Sequence, residues 1–75
     1  MNVGDVIKHK RKELSLTQSQ LAKILGVSVQ AVSKWERGAG YPDVTVLVPL
    51  ARALGVSIDN LLDYKDRYKE LNQKW

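Results

Sequence analysis

The stretch Thr17-Gln-Ser-Gln-Leu-Ala-Lys-Ile-Leu-Gly-Val-Ser-Val-Gln-Ala-Val-Ser-Lys-Trp-Glu-Arg37 decides the fold. Thr17 with Gln20 three residues on forms a capping box, in which hydroxyl and amide each satisfy a free backbone N–H at a helix start. Leu16 and Leu21 flank the cap at the spacing of a hydrophobic staple. Gly26 supplies a left-handed stop after Leu25. Ser28 is the N-cap of the next helix, which Gly38 ends. Only Gly26-Val27-Ser28 separates the two helices, so they must cross steeply.

Outward from this pair, Gly38-Ala39-Gly40 with Pro42, and then Gly55, divide the remaining apolar-periodic stretches. No alternating strand pattern or hairpin signal lies between them. The reading is all-α with five helices. Helix one spans Val3 to Leu14, with Val3, Val6, Ile7 and Leu14 on one face, broken at Lys10. Helix four lies between an N-cap at Thr45 and the stop at Gly55. Pro49 removes one backbone bond there, which predicts an irregular or tightened start. Ser57 caps a fifth helix that extends to the C-terminus. Residues 1–63 form the domain and residues 64–75 a helical extension. Tyr64, Tyr68, Leu71 and Trp75 recur on one face of that extension at heptad spacing. Such a stripe either folds back on its own domain or packs on a second copy, and the dimer interface is the favoured expectation.

Composition bounds the function. The chain has 75 residues and no cysteine. One small domain fits that length. His9 alone makes no metal site without thiol partners. The longest mostly apolar stretch, Val44 to Ala51, is far short of the roughly 20 residues of a membrane span, and nothing resembles a signal peptide. A cytoplasmic protein is expected. No nucleophile, base and orienting acid come together, and no glycine-rich phosphate loop has its strand and helix context. An enzyme is not expected, nor a cofactor. Residues 1–37 carry seven basic and three acidic side chains, while the rest is balanced at five and five. All of the net charge of +4 therefore lies in the first half, a pattern that suits a polyanion such as nucleic acid.

Residues 3–63 resemble the Cro/repressor-type (XRE-like) helix-turn-helix regulators. The resemblance rests on Gln18 to Arg37, with Leu16-Thr17 before it. Gly38, Tyr41-Pro42 and Leu54-Gly55-Val56-Ser57-Ile58-Asp59 follow in order. Ala22 is small where the two helices cross, and Leu21, Leu25, Val27, Val32 and Trp35 lock the pair. Many relatives have an apolar residue where Lys10 stands, and Leu14 is expected to compensate.

The resemblance implies that helix three enters the major groove of double-stranded DNA while helix two lies across the backbone. On a helical wheel, Ala31, Val32 and Trp35 face inward, and Val29, Gln30, Ser33, Lys34 and Arg37 face outward. Ser28, Val29, Gln30, Ser33 and Lys34 are the expected base contacts. Glutamine can pair with adenine, lysine with guanine, and valine can meet a thymine methyl. Gln18, at the first turn of helix two, is implied to clamp a phosphate, a position that already favours anions. Arg11, Arg37 and Tyr41 are further expected phosphate contacts. Arg11 and Glu36 are implied to form a structural ion pair tying helix one to helix three.

The expected function is sequence-specific DNA binding by a transcriptional regulator of the small repressor type, acting as a homodimer. The alternative is an antitoxin-type module whose main partner is a protein and whose DNA binding is autoregulatory. RNA binding is a more distant rival, because the basic half lacks exposed aromatics for stacking.

Overall fold

The computed structural model describes residues 2–62. Five helices follow in order: α1 (Val3–Glu13), α2 (Gln18–Leu25), α3 (Val29–Glu36), α4 (Val44–Leu54) and α5 (Ile58–Leu61). No strand occurs among the described residues. The all-helical reading holds.

The caps explain most of the boundaries. The Thr17 hydroxyl accepts from the Gln20 N–H at 3.0 Å, and the Gln20 side-chain oxygen accepts from the Thr17 N–H at 2.8 Å. Gly26 stops α2 at φ 70°, where a residue with a Cβ is strained. Ser28 accepts from Ala31 N–H at 3.1 Å, and Ser57 accepts from Asn60 N–H at 3.1 Å. A second capping box opens α1 between Asn2 and Asp5, although the sequence reading passed over it.

Two expectations need correction. The buried face of α1 is Val3, Val6, Ile7 and Arg11, while Leu14 is 49% exposed. The helix ends at Glu13, and Leu14 is its C-cap with a non-helical backbone (φ −85°, ψ 3°), so helical periodicity no longer aims its side chain at the core. Leu14 therefore does not stand in for an apolar residue at 10. Lys10 instead reaches Glu13 at 3.2 Å on the surface. Helix α4 begins two residues earlier than expected, with Asp43 rather than Thr45 at the cap position. The Thr45 hydroxyl turns to the Asp43 carboxylate at 3.2 Å. The start of α4 is tight, since both Val46 and Leu47 N–H groups reach the Asp43 carbonyl, at 2.8 and 3.2 Å. Pro49 lies on the exposed side, where a carbonyl left without its helical donor meets water. Finally, α5 as described is a single turn. Its expected continuation, with Tyr64, Tyr68, Leu71 and Trp75, lies outside the described residues.

Ile7, Leu21, Val32, Leu50 and Leu61 are fully buried and draw one residue from each helix. Each such side chain contributes about 1.5–3 kcal/mol on leaving water. Around them Val3, Val6, Ala22, Trp35, Ala51 and Leu54 complete one core. This core fixes α2 against α3, and α1 beneath α3.

Gly4, the second residue of α1, is buried where that helix meets the end of α3. A Cβ added there would overlap the Trp35 carbonyl oxygen and lie 3.1 Å from the Glu36 carbonyl oxygen. The absent side chain is what lets the two backbones approach.

Candidate nucleic-acid interface

Helix α3 buries Val32 and Trp35, with Ala31 half-buried. Its opposite side exposes Val29, Gln30 and Lys34, with Ser33 half-buried between them. Arg37 caps the helix and folds back along it, its Nε donating to Ser33 Oγ at 3.3 Å. The Ser28 oxygen is engaged as the helix cap. Tyr41, in the connection after α3, is 75% exposed, while Pro42 beside it is buried. The wheel drawn from sequence is therefore reproduced.

Glu36 is the one acidic residue of α3, and it does not join this face. Its side chain is only 3% exposed. Arg11 Nε donates to Glu36 Oε2 at 2.6 Å, and Arg11 Nη2 donates to Oε1 at 3.0 Å. This two-pronged geometry is the strong form of an arginine–carboxylate pair. A third donor, Gln18 Nε2, reaches Oε1 at 3.1 Å. Arg11 Nη1 donates to the Leu16 carbonyl at 2.7 Å. One cluster thus joins α1, the α1–α2 turn, the start of α2 and the end of α3.

The electrostatics follow from these contacts. Burial works to raise the Glu36 pKa, but the hydrogen bonds from Arg11 and Gln18, with the charges of Arg11 and Lys8, outweigh it and hold the carboxyl below its ordinary value. Glu36 in turn raises the Arg11 pKa through its hydrogen bond. Both groups stay charged at neutral pH.

Of the residues singled out in the sequence, Arg11, Gln18 and Glu36 are brought together, and Val29, Gln30, Ser33, Lys34 and Arg37 lie along one helix. Arg11 is buried, and its Nε and both terminal nitrogens are already engaged inside the protein. Two features escaped sequence reasoning. Gly4 could have been noticed as a glycine inside a helical pattern, which often marks close packing. The Gln18–Glu36 bond spans 18 positions and leaves no local trace. Among the described residues no cluster of His, Cys, Asp or Glu could hold a metal ion, and no helix is long and apolar enough to cross a membrane.

A family model described as Helix-turn-helix matches residues 7–61. The chain belongs to this helix-turn-helix family, of the Cro/repressor type. The HTH-type transcriptional activator BcrR of Enterococcus faecalis is 42% identical over 62 residues, which are 83% of this chain and 30% of that protein. The cryptic phage CTXphi transcriptional repressor RstR of Vibrio cholerae is 38% identical over 61 residues, 81% of this chain and 54% of that protein. The chain thus spans only about a third to a half of the length of these relatives. Among solved structures, the c2 repressor of Salmonella phage P22 in complex with a synthetic operator superposes with a TM-score of 0.80 at 40% identity. That match covers 83% of this chain and 94% of that one.

Proposed function

We propose that this protein is a sequence-specific, double-stranded-DNA-binding transcriptional regulator of the repressor type. Its site of action is then the cytoplasm. The observation that carries the reading is the exposed face of α3. It presents Gln30, Lys34 and Arg37 with no carboxylate among them, because Glu36 is turned inward onto Arg11. Such a face suits the major groove, with Gln30 and Lys34 reading base edges and Val29 and Ser33 beside them. Ser28 stands at the tip of the helix, within the same set of base contacts. Gln18 takes a phosphate at the start of α2, and Arg37 and Tyr41 take phosphates beyond α3. The operator-bound P22 c2 repressor, which this chain resembles over most of its length, supports the same docking.

A homodimer on a pseudo-palindromic site belongs to this reading. One helix reads few base pairs, and a two-fold pair of half-sites about 34 Å apart, the spacing known for phage repressors, multiplies the selectivity. Tyr64, Tyr68, Leu71 and Trp75 are the proposed contact.

Salt titration of duplex binding tests the reading. With about five to eight phosphates contacted per dimer, the log–log slope should be roughly −4 to −7. A slope near zero overturns it.

A further inference from the structure

The Gln18–Glu36 hydrogen bond has a chemical consequence for DNA docking. A glutamine amide in water presents its oxygen or its nitrogen with equal ease. Against a carboxylate, which only accepts, one orientation survives. Glu36 Oε1 sits 3.1 Å from the Gln18 nitrogen, so the amide is fixed with Nε2 toward Glu36. One hydrogen of Nε2 is spent there. The second meets no acceptor among the described residues. Gln18 is the first residue of α2, and it is half-buried.

We propose that Glu36 is a positioning residue for DNA binding, holding the Gln18 amide so that its second N–H is aimed at a backbone phosphate. The inference rests on the DNA-binding reading above. It also gives Arg11 a second task. A phosphate near Gln18 would face the buried Glu36 carboxylate, and two anions would then share one amide nitrogen. Arg11 places two N–H groups on that carboxylate, at 2.6 and 3.0 Å. The phosphate therefore meets a neutralised pair with a directed donor. The same three side chains that tie α1, α2 and α3 together preset the clamp before DNA arrives, which reduces the ordering cost of binding.

Charge alone predicts the opposite effect of mutation. Glu36→Gln removes a negative charge beside DNA and leaves Arg11 uncompensated, so a purely Coulombic role for Glu36 means tighter binding. The positioning role means weaker binding, because a glutamine at 36 both donates and accepts and no longer dictates the orientation of Gln18.

The test measures duplex affinity of the full chain and of the Glu36→Gln, Gln18→Ala and doubly substituted chains, on an operator and on unrelated duplex. Glu36→Gln is expected to weaken both by about three- to tenfold, the worth of one hydrogen bond. That loss should vanish in the Gln18→Ala background. Tighter or unchanged binding, or an equal loss with and without Gln18, overturns the proposal. If Glu36→Gln fails to fold, the unsubstituted chain still decides by NMR of the Gln18 side-chain amide during DNA titration. One proton should stay at its hydrogen-bonded position while the other shifts. Two protons at free-amide positions overturn the proposal. If the unsubstituted chain shows no salt-dependent binding to any duplex, the DNA reading itself has failed, and the amide signals of the free protein separately show whether the geometry stands.

Discussion

Replacing Gly4 by alanine should destabilise this protein, although the same change inside an ordinary helix stabilises it. Alanine is favoured over glycine by up to about 1 kcal/mol in a helix. At position 4 the added Cβ would overlap the Trp35 carbonyl oxygen and lie 3.1 Å from that of Glu36. Both obstacles are backbone atoms, so no rotamer change relieves the clash. Helix α1 must move away from the end of α3, which costs about 1–3 kcal/mol as overpacking. The net loss is then about 1–2 kcal/mol, which in a domain this small lowers Tm by roughly 5–15 °C. Thermal unfolding followed by circular dichroism measures it. The displacement should also loosen the Arg11–Glu36 pair, because Glu36 follows the backbone that α1 would push. An unchanged or raised Tm for Gly4→Ala would refute the close approach of α1 and α3.

Glu36→Ala should cost about 1–3 kcal/mol by leaving Arg11 buried without its partner, and the double change with Arg11→Ala should cost less than the sum of the singles; strict additivity in denaturant unfolding would show that the pair contributes nothing. Because the Glu36 pKa is depressed in the folded state, its share of stability is intact above the ordinary value near 4.5 and is lost as pH falls through the lowered one; a Glu36→Gln chain should show a shallower acid limb in unfolding against pH. Gln30→Ala and Lys34→Ala should each lose about 1–3 kcal/mol of discrimination at particular base pairs, whereas Gln18→Ala weakens all duplexes alike, and one common pattern across an operator panel would overturn the division of roles. Removing residues 64–75 should leave the helix-turn-helix folded and weaken self-association, and sedimentation of an equally dimeric truncated chain would exclude the Tyr64, Tyr68, Leu71 and Trp75 stripe as the interface.

Local signals carried most of the fold. Thr17 with Gln20, Gly26, Ser28 and Ser57 act through hydrogen bonds three residues away or through one backbone angle, so their reading needs no tertiary information. The outward stripe of α3 was legible for the same reason, since helical periodicity alone separates Val32 and Trp35 from Gln30 and Lys34. The failures lie where a partner from another helix decides. Helix α1 read as an apolar face completed by Leu14, because a buried arginine breaks the apolar rule unless its acid is known. Glu36 lies 25 positions from Arg11, and only the family resemblance brought them together. Asp43 rather than Thr45 starts α4 because a tight turn on the Asp43 carbonyl, not a side-chain cap, begins the helix. Gly4 is legible only as a glycine inside a helical pattern, a sign of close packing, since nothing local says which backbone passes over it.

The Arg11–Glu36 pair invites the question of why a small core keeps two charges where two apolar side chains would fit. Buried pairs of this kind are poor sources of stability, because desolvation offsets most of their attraction. The arrangement makes more sense as a constraint on geometry. A hydrophobic replacement could hold α1 against α3 without direction. The guanidinium fork fixes the carboxylate by two bonds, and the third Arg11 nitrogen fixes the Leu16 carbonyl just ahead of α2. Helices α2 and α3 are thereby registered against the same atoms. A helix pair docking on DNA requires this registration, since α2 must meet the backbone when α3 meets the bases. The pair also removes the only carboxylate of α3 from its polar face. One device therefore answers the mechanical and the electrostatic demands of the same surface, which gives a physical reason for charge in this core.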